Sequence, residues 1–276
     1  MIVGPVYKSW KPSERVHYKT SQSPDCENIP TLDLLNRIIS IIEQYRIVTV
    51  RQVYYCLVSE QLINNNRPEY NRIVNILKRG RLAGLISFEK VIDDTREAEK
   101  TPSWDNIEQI IEAAIEQYRS DWWRDQDYYV EVWLEKRSLR RIFYPITDAY
   151  DVHLCVGGGY QSWSEVWEAS KRFDEHRDKK CVILYFGDLD PSGKDMPRDI
   201  RERFETLGIE VDVVEAALTK EDIEMYDLPR NPTKSEDTRN SWYIEKYGIA
   251  YGVELDALPP DILRRKIREA IREYVD

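Results

Sequence analysis

No stretch of this chain is apolar for anything near the ~20 residues that a membrane-spanning helix needs. The amino-terminal MIVGPVYKSWKPSER carries no secretory hydrophobic region. A cytoplasmic protein with no membrane partner is the expectation. Cysteine is scarce: Cys26, Cys56, Cys155 and Cys181 are scattered without a Cys-x-x-Cys pair. That spacing excludes a zinc ribbon or a disulfide framework and predicts reduced, mostly buried small hydrophobes. Internal repeats and low-complexity tracts are absent as well. The run Gly157-Gly158-Gly159 is followed by no Gly-Lys-Ser/Thr, so it is not a P-loop. It is either a flexible turn after a strand or a backbone that lets a phosphate approach closely.

What is present is charge, unevenly spread. The 276 residues are 42% hydrophobic and 33% charged, enough for one large domain or two modest ones. The net charge is −10, but residues 1–93 hold 13 Lys and Arg against 9 Asp and Glu, which leaves −14 for the remainder. Whole-chain charge governs solubility, whereas a local patch decides where a polyanion docks. An acidic second part is also what a carboxylate metal site would contribute to.

Residues 1–29 are polar and read as an amino-terminal extension. Apolar residues at helical spacing then predict three helices: one from Thr31 carrying Leu34, Leu35, Ile38, Ile39, Ile42 and Tyr45, one from about Thr49, and one over Glu69–Arg81. A short strand at Leu85–Phe88 would follow. Three helices and a strand outline a winged helix over 30–98, with Arg72, Lys78, Arg79 and Arg81 of the third helix meeting DNA phosphates. After a polar linker near Asp93–Pro102, a helix over Trp104–Tyr118 occupies the connecting region 99–126.

From 127 to 276 strands and helices alternate. Strands are expected at Tyr128–Leu134, Val152–Val156, Cys181–Phe186 and Ile209–Val214, and helices at Ser138–Tyr144, Ser164–Phe173 and Pro197–Leu207, before a charged amphipathic tail helix over Pro259–Tyr274. Alternation at this spacing predicts a parallel, doubly wound α/β sheet. Two of its strands end in acid. Asp188 and Asp190 follow Cys181–Phe186 at spacing two, so on extended backbone they point the same way. Glu135 follows Tyr128–Leu134. In an open parallel sheet ligands gather at the carboxyl ends of the strands, and three carboxylates there suit magnesium. Glu131 competes for that role but lies inside its strand. An ordinary Asp-rich turn is the alternative for the Asp pair.

Glu135-Lys136 after one apolar strand and Asp188-Leu189-Asp190-Pro191-Ser192-Gly193 after another resemble the Toprim domain of topoisomerases, primases and related nucleases. The Asp-x-Asp-Pro-x-Gly form is most similar to the A subunit of topoisomerase VI and its meiotic double-strand-break relatives. Those proteins place a winged helix before the Toprim domain, with an Arg-Asp-x-Tyr-Tyr motif that Arg51-Gln52-Val53-Tyr54-Tyr55 resembles. Val253-Glu254-Leu255-Asp256-Ala257-Leu258 is similar to a segment near that family's carboxyl end. Gln52 stands where the family has Asp, and Gly159-Tyr160-Gln161-Ser162 where it has Gly-Tyr-Pro-Asp.

The resemblance implies a magnesium-dependent enzyme, with manganese as a substitute, that cleaves double-stranded DNA through a 5′-phosphotyrosyl intermediate. Tyr55 would be the nucleophile, Arg51 would assist at the phosphate, and Glu135, Asp188 and Asp190 would hold the metal. It further implies a homodimer, nucleoid-associated, whose active site joins the tyrosine of one protomer to the metal of the other. Strand passage would need a separate ATPase subunit. Two other readings stand beside it: a Toprim nuclease that activates water, with Tyr54 and Tyr55 structural, and a non-catalytic DNA-binding protein of a mobile element.

Overall fold

The structure, a computed structural model, describes residues 31–92, 103–118, 121–233 and 237–275. The expected extension at 1–29, Cys26 and the linker at Asp93–Pro102 lie outside the described residues. In chain order the elements are α1 (Thr31–Tyr45), β1 (Val48–Thr49), α2 (Val50–Ser59), α3 (Arg67–Leu82), β2 (Val91–Ile92) and α4 (Ile107–Gln117). The second half contains β3 (Tyr128–Leu134), α5 (Arg140–Ala149), β4 (His153–Val156), α6 (Trp163–Asp174), β5 (Lys180–Phe186), α7 (Pro191–Thr206) and β6 (Asp212–Ala217). It closes with α8 (Lys220–Met225), β7 (Asn231–Pro232), α9 (Asn240–Tyr247), β8 (Tyr251–Gly252) and α10 (Pro260–Arg272).

The protein is mixed α/β. Its central sheet is parallel throughout, in the order β4-β3-β5-β6. Because helices cover both faces, the central strands read as apolar runs rather than as alternations, broken only by Glu131 in β3: all of Tyr129–Leu134 and Val182–Phe186 is buried. On one face Trp133, Phe173, Phe204 and Ile183 interlock. The other face carries Val132, Phe143, Leu184 and Phe186 into a core that continues through Leu263, Ile267 and Ile271 of α10 to α1 and α2.

Three expected elements differ. Leu85–Phe88 is a turn, not a strand; the pairing near it is a two-residue parallel bridge between β1 and β2. Gly84, at φ +74°, turns the chain after α3, and Leu85 and Phe88 face solvent without a neighbouring strand. The helix expected from Pro197 begins instead at Pro191, which fits the first turn of α7 because its missing N–H is needed nowhere there. Pro197 lies inside the same helix. The strand expected from Ile209 starts at Asp212, and residues 209 and 211 are buried in the approach to the sheet.

At the amino-terminal end, Thr49 caps α2 through a reciprocal pair in which its hydroxyl accepts from the Gln52 N–H and the Gln52 side chain accepts from the Thr49 N–H, each at 3.0 Å. This explains the glutamine at 52 structurally: it is 1% exposed and spent on the cap. Among the described residues no helix is long and apolar enough to cross a membrane.

Candidate active site

The carboxyl ends of β3 and β5 lie side by side, held by the Glu135 N–H donating to the Phe186 carbonyl at 2.9 Å. That register brings Glu135 and Asp188 together although fifty-three residues separate them: Glu135 Oε2 accepts from the Asp188 N–H at 3.0 Å and from the Tyr185 hydroxyl at 3.2 Å. Asp188 Oδ1 accepts from the Leu255 N–H at 2.7 Å. The loop between them is fixed to the 253–256 segment by paired Leu189 and Val253 backbone hydrogen bonds, both 2.9 Å.

Asp190 is the N-cap of α7, its Oδ1 accepting from the Gly193 N–H at 2.7 Å. The turn reading of the Asp pair therefore holds for one oxygen of one residue. Gly193 is required by close approach: a Cβ there would overlap the Asp188 carbonyl oxygen, so the Asp-x-Asp-Pro-x-Gly spacing is set by how tightly α7 starts against the strand end.

Lys136, next to Glu135, organises the acids. Its ammonium lies 3.2 Å from Asp188 Oδ2, 2.8 Å from Glu254 Oε2 and 3.1 Å from Asp256 Oδ2. Glu254 also pairs with Arg51 of α2, which ties the helical region to the sheet edge. Glu254 and Asp256 belong to a segment noted in the sequence only for its family likeness, with no role assigned. The signal that marks them is a second acid-x-acid spacing, the same as 188 and 190.

The electrostatics of this edge are uncompensated. Lys136 serves three carboxylates, with Arg51 joining it only at Glu254, and among the described residues fully buried Asp256 accepts no hydrogen bond at either oxygen. Burial, only partly offset by Lys136, pushes the Asp188 carboxyl up to about 8. Burial and the neighbouring Asp190 raise that of Glu135. Burial alone would depress the Lys136 ammonium, but Asp256, Asp188 and Glu254 outweigh it and hold it charged.

Tyr55 reaches the same locality from α2. It is 5% exposed. Burial and Glu254 raise its pKa, while Lys136, Arg51 and Asn231 pull it back down. Tyr54 points elsewhere, with its hydroxyl 3.0 Å from Asn65 Oδ1 and its ring edge-on to Tyr70. In this chain Tyr55 and the carboxylates therefore belong to one locality of one protomer. A cavity of about 430 Å³ opens beside it, lined by Arg51 and Tyr70 from the helical side and by Glu135, Lys136, Arg137, Gly158 and Gly159 from the sheet edge.

Glu131 has no part in this edge. It lies about four residues, or ~13 Å, down β3, fully buried, receiving Tyr129, Trp133 and both arms of Arg172 at 2.7–3.0 Å. Of the basic residues on α3, Lys78 is exposed, Arg72 pairs with Glu69 at 3.3 Å, Arg79 is half-buried, and Arg81 donates to the Val91 carbonyl at 2.8 Å.

Among the described residues no three Asp, Glu, His or Cys side chains stand as a ready-made metal cage; the Lys136 ammonium fills the space between Asp188, Glu254 and Asp256. The donors nevertheless suit a hard divalent cation. They are all oxygen, Glu135 Oε1 and Asp190 Oδ2 accept no hydrogen bond among the described residues, and the acids nearby lack full compensation. The chain matches no protein-family model and no curated protein.

Proposed function

We propose that this protein is a winged-helix and Toprim enzyme that cleaves duplex DNA by magnesium-dependent transesterification to Tyr55, in the manner of a small topoisomerase VI A subunit. One observation carries the reading: Tyr55, Arg51, Lys136, Glu135 and Asp188, drawn from two distant parts of the chain, form one linked locality beside a cavity. Glu135, Asp188 and Asp190 would hold the ion, and the chemistry it supplies is stabilisation of charge on the phosphate and the leaving oxygen.

The protein's own groups account for the rest. An ordinary tyrosine hydroxyl, with a pKa near ~10, is ionised in about one molecule in a thousand at neutral pH. Lys136 and Arg51 favour the phenolate, against burial and Glu254, which outweigh them in the free protein. A phosphodiester entering the cavity competes with Glu254 for Arg51 and Lys136, which draws both cations onto the phosphate and weakens the carboxylate's hold on the site. Attack by the Tyr55 oxygen on phosphorus forms the phosphotyrosyl bond and releases the 3′ oxygen of the neighbouring nucleotide, which takes up a proton. The bond energy is conserved for rejoining. The basic face of α3 supplies sequence-independent contact with duplex phosphates. A homodimer and a separate ATPase subunit complete the proposal for strand passage.

The burial of Tyr55 favours a second reading, in which the same carboxylates serve an activated water and Tyr55 is structural. One experiment separates the two. Supercoiled labelled DNA is incubated with magnesium or manganese, denatured, and examined for cleavage and for label attached to protein. A covalent adduct that disappears in Tyr55→Phe supports transesterification. Free-ended cleavage that survives Tyr55→Phe supports hydrolysis, and DNA binding without cleavage supports a non-catalytic binding protein.

A further inference from the structure

Immediately after Gly158 and Gly159, which line the cavity, the chain presents three aromatic residues to solvent: Tyr160 at 39% exposure and Trp163 and Trp167 at 52% each. Trp163 and Trp167 are four residues apart on α6, hence on one face and about 6 Å apart along its axis. The opposite face is spent on the core through Val166, Ala169 and Phe173. Each exposed ring has a cation over it. The Arg239 guanidinium is 5.3 Å from the Tyr160 centroid, Arg203 is 5.0 Å from Trp163, and the Lys171 ammonium is 5.8 Å from Trp167.

These positions are held. Arg203 donates to the Gln161 carbonyl at 2.9 Å and pairs with Asp199 at 2.9 Å. The Tyr160 hydroxyl accepts from Arg239 and donates to Asp195 at 2.6 Å. Lys171 pairs with Glu168 at 2.7 Å.

We infer that this row is a subsite for an unpaired nucleic-acid strand leading away from the cavity, its bases stacking on Tyr160, Trp163 and Trp167. Large exposed rings alone suit a protein partner equally well. Rings held in place by their cations, in direct continuity with a cavity lined by Arg51, Lys136 and Arg137, suit a ligand that stacks flat π-faces along the row while its phosphate enters the cavity. The inference rests on the proposed function only for where the scissile phosphate lies.

Since each cation of the row already has a carboxylate partner, Asp237 at 2.9 Å in the case of Arg239, stacking rather than charge carries the binding. The salt dependence is therefore expected to be shallow, with a slope of log affinity against log salt of magnitude below about 2, where several phosphate contacts would each add about 0.7.

The test uses the full chain with chelator present, so that cleavage plays no part. A fluorescein-labelled 15-residue oligothymidine is titrated and followed by anisotropy and by quenching of tryptophan emission. The expected result is quenched emission, binding weakened at least about tenfold in Trp163→Ala/Trp167→Ala, and binding within about threefold of wild type in Trp163→Phe/Trp167→Phe; circular dichroism melts verify that both variants fold.

Absence of oligothymidine binding by the wild type, or equal binding by the alanine variant, overturns the inference. So does an alanine variant that changes only the oligomeric state measured by light scattering, which assigns the row to a protein interface. Cleavage of duplex DNA with no oligothymidine binding refutes this subsite and leaves the proposed function standing; oligothymidine binding with no cleavage under magnesium does the reverse.

Discussion

Strand β3 holds one glutamate and is followed by another, with opposite fates. Glu131 sits in the middle of the sheet with donors on every side, and although burial works against its ionisation, the Arg172 hydrogen bonds and charge hold its carboxyl below the usual range. Glu135, four residues on, sits where the strand ends, and together with Asp188 it is raised above that range. Both are mostly out of water, so burial is not the difference. The difference is the charge of the donors: Glu131 has a bidentate guanidinium beside its phenol and indole, while Glu135 is held by a phenol and a backbone N–H and Asp188 shares one ammonium with Glu254 and Asp256. Buried acids that are fully satisfied cement a fold. Acids left short of positive charge are poised to take some from outside.

That contrast is open to direct attack. Replacing Glu135 or Asp188 by its amide is expected to lower metal-dependent DNA cleavage roughly 1,000-fold, the scale on which removal of transition-state charge stabilisation registers, with no loss of thermal stability. Unchanged turnover in either variant removes these residues from the site. Glu131→Gln is expected to do the opposite. It leaves Arg172 facing a neutral partner in the sheet and costs about 3 kcal/mol in urea unfolding, as broken buried pairs do, while divalent-ion affinity stays at the wild-type level.

A smaller effect concerns pH. An acid whose pKa is raised in the folded protein is neutral at low pH in both folded and unfolded chains, so its penalty is absent below about 4 and grows as pH climbs toward 8. Asp188→Asn is therefore expected to melt a few degrees above the wild type at pH 8 in chelator, with the gap closing by pH 4.5. A constant gap across that range would contradict the uncompensated state of Asp188. The smallest effect belongs to the basic region: Lys78→Ala, an exposed change, is expected to weaken duplex DNA binding a few-fold irrespective of sequence and to reduce the salt slope by about one.

The sequence carried the parallel sheet well, because strands buried on both faces announce themselves as apolar runs, as in Val182–Phe186. It placed Glu135 and Asp188 at neighbouring strand ends for the same reason. It failed at Pro191, where the prolines at 191 and 197 each suit a helix start and the Asp190 cap together with the packing of Gly193 on the Asp188 carbonyl selects the earlier one. It also missed Glu254, Asp256 and the part Lys136 plays among them. Those residues matter through contacts spanning 118 and 203 positions, Lys136 with Glu254 and Arg51 with Glu254, which no local pattern reports. Gln52, legible in sequence only as a family departure, proved to be half of a helix cap.

The central claim is that the strand-end acids, and not the acid inside the strand, take up a divalent cation. Titration of the metal-free protein with manganese, followed by the loss of the free-ion paramagnetic resonance signal, tests it most directly. Uptake is expected in the wild type and in Glu131→Gln, and none in Glu135→Gln. No uptake by the wild type, or uptake unchanged in Glu135→Gln, would contradict it.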